Sequence, residues 1–217
     1  LLSRYTGQSD IVVGIPSLGR DTPELERIIG FFIQSLVLRT HLEGNPSVHD
    51  ALHRVRQTVL DAFNNADIPV DSIVERLGLP RNPAYSPLVQ VAFQLMEQNA
   101  LEVREIVPEG AIGDLSLEVV GGNQATSKFD LMLTLTHTGQ QLGATLEYNT
   151  DLFNEDTMQR LLRHYEYLLQ QIVDDLQRPI NQLQIVAPDE LYELLNLSRD
   201  EVDLKRLSPM LRDMWTR

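Results

Sequence analysis

The chain contains no cysteine. That excludes disulfides, thiolate metal sites and a cysteine nucleophile, and it is compatible with a reducing compartment. No apolar run approaches the roughly 18 residues that a membrane span requires. Residues 1–20 also lack the basic start and long apolar centre of a secretory signal, since Gly7, Asp10 and Gly14 interrupt them. A cytoplasmic location without membrane contact is the expectation. Positive charge is scarce: 18 Lys and Arg against 31 Asp and Glu leave a net charge of −13. So acidic a chain makes nucleic acid, a polyanion, a poor partner.

What is present fits an ordinary globular protein. Of the 217 residues 42% are hydrophobic and 23% charged, enough for one sizeable core or two small ones. The hydrophobic period switches repeatedly along the chain, the mark of a mixed α/β fold. Ile11 to Ile15 is a β-branched run that Pro16 ends, predicting a buried strand. Glu24 to Ile29 predicts a short helix after Pro23, and Phe31 to Leu38 a second buried strand. Ser47 is an N-cap candidate for a helix whose apolar positions Val48, Leu52, Val55, Val59 and Phe63 recur every three to four residues. Pro69 opens another helix with Ile73, Val74 and Leu77 inward, and Gly78 stops it.

The second half is richer in strands: Leu88 to Met96, Leu115 to Val120, and an edge strand within the acidic loop from Glu97 to Asp114. Phe129, Leu131, Leu133 and Leu135 alternate with polar partners, as do Leu142, Ala144, Leu146 and Tyr148. With His137-Thr138-Gly139-Gln140 as the turn, these segments predict a hairpin. Asn154, followed by Glu155 and Asp156, caps a long helix with its apolar face at Leu161, Leu162, Tyr165, Leu168, Leu169, Ile172, Val173 and Leu176, closed by Pro179. Ile180 to Val186 reads as an edge strand and Asp189 to Leu195 as a short helix. The charged stretch from Arg199 to Arg217 carries the only tryptophan, Trp215, near its end.

Four constellations invite a chemical reading. His49 and His53 share a helical face with Asp50 between them, superficially like a zinc-protease pattern, but the acid is Asp rather than Glu and no third ligand follows. Two solvated histidines are the simpler account. Serines and the five histidines supply raw material for Ser-His-Asp chemistry, yet no Gly-x-Ser-x-Gly elbow exists. Gly121-Gly122-Asn123 lacks the Lys-Ser/Thr pair and helix of a phosphate cradle, so a plain turn is expected. Finally, Gln34 and Arg39 lie on an otherwise apolar strand, preceded by Gly19-Arg20. A buried amide or guanidinium must find partners, because an orphan costs about 1–3 kcal/mol, so a structural role precedes a binding one.

Motif order carries the reading further. Arg4-Tyr5-Thr6-Gly7-Gln8, Asp10 to Gly14, Pro16, Gly19-Arg20 and Glu24-Leu25-Glu26 precede Ile29-Gly30-Phe31-Phe32-Ile33-Gln34-Ser35-Leu36-Val37-Leu38-Arg39. Asn65 to Asp71, with Asp67 and Pro69, follows, then Arg81 to Val91 with Ser86-Pro87-Leu88-Val89-Gln90, then Ser127-Lys128-Phe129-Asp130-Leu131 and Leu146 to Phe153. In order and spacing this resembles the second half of the condensation domains of nonribosomal peptide synthetases. Departures are Gln34 for the usual Asn, Ser35 for Thr, Asn82 for Asp, and loss of the histidine and aromatic from the motif around Asp67.

The resemblance implies one chloramphenicol-acetyltransferase-like lobe: α/β, a mixed β-sheet flanked by helices, over residues 1–186, with 187–217 a linker or tail toward a following domain. It implies a tunnel in which a donor acyl or peptidyl thioester on one carrier protein is joined by an amide bond to an acceptor aminoacyl group on another. It marks Gly19, Arg20, Gly30, Phe31, Gln34, Ser35, Arg39, Asp67, Pro69 and Gln90 as tunnel or lobe-interface candidates. No cofactor would bind directly; phosphopantetheine would be presented by partner carrier proteins. The expected partners are the N-terminal lobe, donor and acceptor carriers, and a neighbouring adenylation or second condensation-type domain. The last is suggested by Val202 to Met210, which resembles the lead into another such domain, with Leu211 where Gln is common. The family's His-His-x-x-x-Asp-Gly motif is nowhere in the sequence, so no catalytic residue is assigned and the chain alone is expected to be inactive. A degenerate module that binds carriers or recruits tailoring enzymes is the alternative. A related epimerase fits less well, because Phe31-Phe32-Ile33 lacks Trp-Phe-Thr character.

Overall fold

The computed structural model describes residues 1–20, 22–80, 82, 85–97, 126–137, 139 and 141–195. Two compact units divide the chain: Leu1–Val12 with Val37–Ile68 and Asn154–Arg217, and Val13–Leu36 with Pro69–Phe153. The strands are β1 (Asp10–Ser17), β2 (Gln34–His41), β3 (Val91–Glu97), β4 (Leu131–His137) and β5 (Leu142–Tyr148), in the order β2-β1-β3-β4-β5. β1 pairs with β3 in parallel at Gly14↔Ala92, and β3 with β4 in parallel from Val91↔Leu131 to Glu97↔His137. β4 and β5 form the expected antiparallel hairpin, from Leu131↔Tyr148 to His137↔Leu142. The sheet is therefore mixed.

In the second unit the sheet interior rests on Val89, Ala92, Leu131 and Leu135, all buried. The approach of β1 is close because position 14 has no side chain: a Cβ there would sit 2.5 Å from Val89 Cγ1. Pro16 does not end β1, which runs on to Ser17. The β1–β3 register is held at Gly14↔Ala92, two residues before the proline. Helix α2 (Pro23–Glu26) is shorter than expected, with proline in its first turn. Strand β2 begins at Gln34 rather than Phe31, and the residues before it are not buried: Ile29 is fully exposed and Phe31 is 88% exposed.

Helix α3 (Val48–Asn64) belongs to the first unit, and the Ser47 hydroxyl caps it by accepting from Asp50 N at 3.1 Å. Its next two orphan donors are met by the chain itself, Val48 N–H by Arg178 O at 3.0 Å and His49 N–H by Leu176 O at 2.8 Å. Of its apolar positions only Val48 is buried; Leu52, Val55 and Phe63 are exposed. Helix α4 (Val70–Arg76), in the second unit, buries Val74, while Leu77 is exposed rather than inward.

Helix α5 (Glu155–Asp174) is capped by Asn154 Oδ1, which accepts from Thr157 N at 2.9 Å. Its buried stripe is Met158, Leu161, His164, Leu168 and Gln171, and Val173 lies outside it at 80% exposure. Val48, Leu168 and Leu183 form the core of the first unit, with Leu1, Ile172 and Ile180 packed against it.

Residues 180–186 are not an edge strand. Ile180–Gln182 is a short 3₁₀ turn, and the Gln184 backbone is claimed by a side chain instead of a neighbouring strand. Gln171 Nε2 donates to Gln184 O at 2.6 Å, and Gln184 N donates to Gln171 Oε1 at 3.0 Å. A side-chain amide thus imitates one rung of a ladder. Helix α6 (Pro188–Leu195) forms where a short helix was expected. The expected strands within 98–125, the Gly121-Gly122-Asn123 turn and the tail beyond 195 lie outside the described residues.

Candidate functional site

The loop between β1 and β2 is built around one guanidinium. Arg20 Nη1 donates to the carbonyls of Leu25 and Ile28, the latter at 2.8 Å, and Nη2 donates to Gly30 O at 3.4 Å. The same group stacks on Phe32, 4.4 Å from the ring centroid, a planar fit that arginine makes and lysine does not. Gly19 turns the chain into this staple at φ 61°, where a Cβ would collide with Phe32 O. A Cβ on Gly30 would lie 2.9 Å from the Phe32 ring. Four candidates, Gly19, Arg20, Gly30 and Phe31, therefore share one loop. Its inner side is tied to Arg20, and its outer side presents Leu18, Ile29, Phe31 and Ile33 to solvent. Gln34, half-buried, and Ser35, exposed, continue from it into β2.

Gln90 lies elsewhere in the second unit, at the start of β3. A polar cavity of about 230 Å³ opens there, lined among others by Ser86, Gln90, Ser127, Lys128, Asp130 and Asn149. Several of its groups are already engaged. Gln90 Nε2 donates to Ser86 O at 2.6 Å, Ser127 Oγ donates to Phe129 O, and Asn149 Oδ1 accepts from Asp151 N at 3.0 Å.

The remaining candidates stand apart. Arg39 grips Asp10 through Nε at 3.0 and 3.1 Å and Nη2 at 2.7 Å, with His41 Nδ1 3.6 Å away from the same carboxylate. The hydrogen bond from Arg39 holds the Asp10 carboxyl below its usual range, and Asp10 raises Arg39 in turn. Asp67 and Pro69 are exposed and lead into α4. His49 and His53 are both exposed, and His49 faces Asp50 at 3.5 Å.

One constellation has no counterpart among the sequence motifs. His164, buried on α5, takes Tyr5 Oη at Nδ1, 2.6 Å, and Glu190 Oε2 at Nε2, 2.9 Å. The arrangement has triad-like geometry. Its chemistry is the reverse of an activated nucleophile, because burial pushes the Tyr5 hydroxyl above its ordinary pKa. It ties helix α1 (Leu2–Thr6) and helix α6 to α5, with 26 positions separating His164 from Glu190. Its only sequence signal is position: His164 falls three residues after Leu161 and four before Leu168, on the buried face. The first unit also holds an apolar cavity of about 520 Å³, lined by Leu1, Leu42, Leu168, Ile172 and Leu183 among others.

A mixed sheet of this order, with helices before, between and after its strands, is an α/β fold of chloramphenicol-acetyltransferase type. The family model of the condensation domain matches residues 1–195, and the chain belongs to that family, in the form found in nonribosomal peptide synthetases. Surfactin synthase subunit 1 of Bacillus subtilis is 40% identical over 190 residues, covering 88% of this chain and 5% of that protein. Bacitracin synthase 1 of Bacillus licheniformis is 34% identical over 195 residues, covering 90% of this chain and 4% of that protein. The chain thus spans a small part of the relatives it matches. Among solved structures, the complex of the X-domain and OxyB from teicoplanin biosynthesis aligns with TM-score 0.71 and 29% identity, covering 87% of this chain and 40% of that chain. The condensation domain of the monacolin K polyketide synthase MokA aligns with TM-score 0.66 and 20% identity, covering 82% and 40%.

Proposed function

We propose that this chain is the C-terminal lobe of an amide-forming condensation domain in a nonribosomal peptide synthetase. The observation that carries the reading is a family match over residues 1–195 in a sequence without the His-His-x-x-x-Asp-Gly motif. Coverage of only 40% of the MokA condensation domain supports it, since more than half of that domain has no counterpart here. The lobe comprises residues 1–186. Residues 187–217 lead toward a following domain, beginning with α6, which Glu190 anchors to His164.

In this role the lobe contributes placement. The acceptor amine attacks the donor thioester carbonyl, the C–N bond forms as the C–S bond breaks, and the donor carrier's thiol leaves with the amine's proton. Holding both tethered reactants at one channel makes the attack effectively intramolecular. The loop bearing Gly19, Gly30, Phe31, Gln34 and Ser35 forms the tunnel or lobe-interface wall, with Arg20 fixing its shape. Arg39, committed to Asp10, supports β2 rather than a ligand. Asp67, Pro69 and Gln90 complete the set. Carrier proteins bring the phosphopantetheine arms, and the lobe itself takes no cofactor.

The test mixes the chain with loaded donor and acceptor carriers, alone and joined to its N-terminal lobe. Amide product above the spontaneous rate is expected only from the joined form; product from the chain alone overturns the reading. A second reading, a non-catalytic module that recruits a tailoring enzyme, is favoured by the 29% identity to the X-domain found in complex with OxyB. An intact His-His-x-x-x-Asp-Gly in the parent sequence upstream favours catalysis, and its loss favours recruitment.

A further inference from the structure

Helix α1 has little packing of its own. None of its five residues is buried, and two of them, Arg4 and Tyr5, reach side-chain partners far along the chain. Arg4 Nη1 donates to Asn181 O at 2.8 Å. Tyr5 Oη bonds His164 Nδ1 at 2.6 Å, the two rings tilted by 53° with centroids 5.9 Å apart, and His164 Nε2 bonds Glu190 on α6 at 2.9 Å. The relay thus runs from a partly exposed hydroxyl, through an imidazole that is 6% exposed, to a carboxylate whose side chain is 16% exposed. Amide formation makes no use of this buried ring.

The two bonds on the ring depend on each other. A carboxylate accepts and does not donate, which assigns the ring proton to Nε2; Nδ1 is then bare and accepts the Tyr5 hydroxyl. One tautomer and one ring orientation therefore serve both partners. Loss of either partner frees the proton to move to the other nitrogen and the ring to turn, and the bond that remains weakens. We propose that His164 is a positioning residue that makes the seating of α1 and the seating of α6 interdependent. Such coupling is reciprocal: the factor by which a loosened α1 weakens the hold on α6 is the factor by which a loosened α6 weakens the hold on α1. Its use rests on the reading of the chain as a C-terminal lobe, in which the N-terminal lobe precedes α1 and the following domain succeeds α6. Docking of one neighbour is then felt at the other through a single imidazole.

The test follows amide proton exchange by NMR in the full chain, isotopically labelled, at two probes: the Gly7 amide, which bonds Ser3 O at 2.9 Å behind α1, and the Leu191 amide, which bonds Ala187 O at 3.0 Å in α6. Tyr5→Phe is expected to speed exchange at Leu191 roughly tenfold, and Glu190→Met to speed it at Gly7 by a similar factor. In the double variant Tyr5→Phe should add nothing at Leu191 to the effect of Glu190→Met. An effect that survives in that background runs through Arg4 and Asn181 instead and overturns the role of His164. The ring-nitrogen shifts of His164 should report the Nε2–H tautomer and turn toward Nδ1–H in Glu190→Met; Nδ1–H in the unsubstituted chain overturns the proposal. Glu190→Gln, which fills the same space, keeps the test decisive with smaller effects if Glu190→Met misfolds. Joining the N-terminal lobe should slow exchange at Leu191 in the unsubstituted chain and not in Tyr5→Phe, and slowing that is equal in both overturns the coupling between neighbours. The probes are read without amide formation, so a parent domain that fails to condense leaves reciprocal effects standing. A parent that condenses while the two probes respond independently sinks this proposal alone.

Discussion

The Arg20 guanidinium lies 4.4 Å from the centroid of the Phe32 ring while donating to three carbonyls of the same loop, those of Leu25, Ile28 and Gly30. Shape in this loop therefore depends on a flat cation with several donors in one plane. Lysine supplies the charge without the fork or the stack, so Arg20→Lys is expected to behave as a loss. Stability should fall by about 1–3 kcal/mol in urea unfolding. In the joined two-lobe domain, amide formation should drop roughly 10²-fold, as expected when a positioning element shifts by about 1 Å. Equal activity of the Arg and Lys forms would remove Arg20 from this role.

His164 is one of the few polar residues in the core, 6% exposed, with partners on both ring nitrogens. Replacing it by alanine strands the Tyr5 hydroxyl and the Glu190 carboxylate at once. A loss of about 2–4 kcal/mol is expected, from two groups at about 1–3 kcal/mol each with partial relief by water. Glu190→Gln keeps a neutral partner and should cost less. Hydrogen exchange is the discriminating measurement: both variants should speed exchange in α6 with little change in β3 and β4. Uniform acceleration across the chain would mean that His164 holds up the whole core rather than clamping α6.

The Asp10–Arg39 pair makes stability depend on acid. Because Arg39 lowers the Asp10 pKa in the folded protein, the pair stabilises above the unfolded value of about 3.9. That contribution disappears as the pH falls through the lower folded value. The stability gap between the unsubstituted chain and Asp10→Asn should be constant above about pH 5 and close below about pH 4. Added salt should narrow it, since both side chains are solvent-accessible. A gap unchanged from pH 6 to pH 3 would show that the ion pair contributes nothing.

Where local chemistry decides structure, the sequence was legible. Ser47 and Asn154 were readable as caps because a short side-chain oxygen before an apolar periodic run has one good use, and both make that bond. The β4–β5 hairpin was readable from its alternation. Long-range demands were not. Phe31 looked like a core residue because apolar runs usually are, but it is 88% exposed in this chain. Residues 180–186 looked like an edge strand, and nothing local says that Gln171, on another element, takes the hydrogen bonds of Gln184. The candidate site followed the same division. The motif containing Gly19-Arg20 and Gly30-Phe31 folds into one loop as a unit, whereas the cavity around Gln90 joins segments nearly forty residues apart in sequence.

Ile29 and Phe31 extend that point to solution behaviour. Both are large, apolar and exposed, with Leu18 at 71% and Ile33 at 54% in the same β1–β2 loop, and large apolar side chains gathered on one loop favour association in water. The chain is therefore expected to self-associate, with a light-scattering mass that rises across a concentration series. Ile29→Ser combined with Phe31→Ser should restore the monomer. The folded state should remain intact, because neither side chain is buried and the Arg20 bonds of this loop run to backbone carbonyls. If the proposed lobe-interface role of this loop holds, joining the N-terminal lobe should have the same effect as the two serines. A chain that stays monomeric at every concentration, or a double variant that associates as strongly as the original, would mean that this loop is not the adhesive surface.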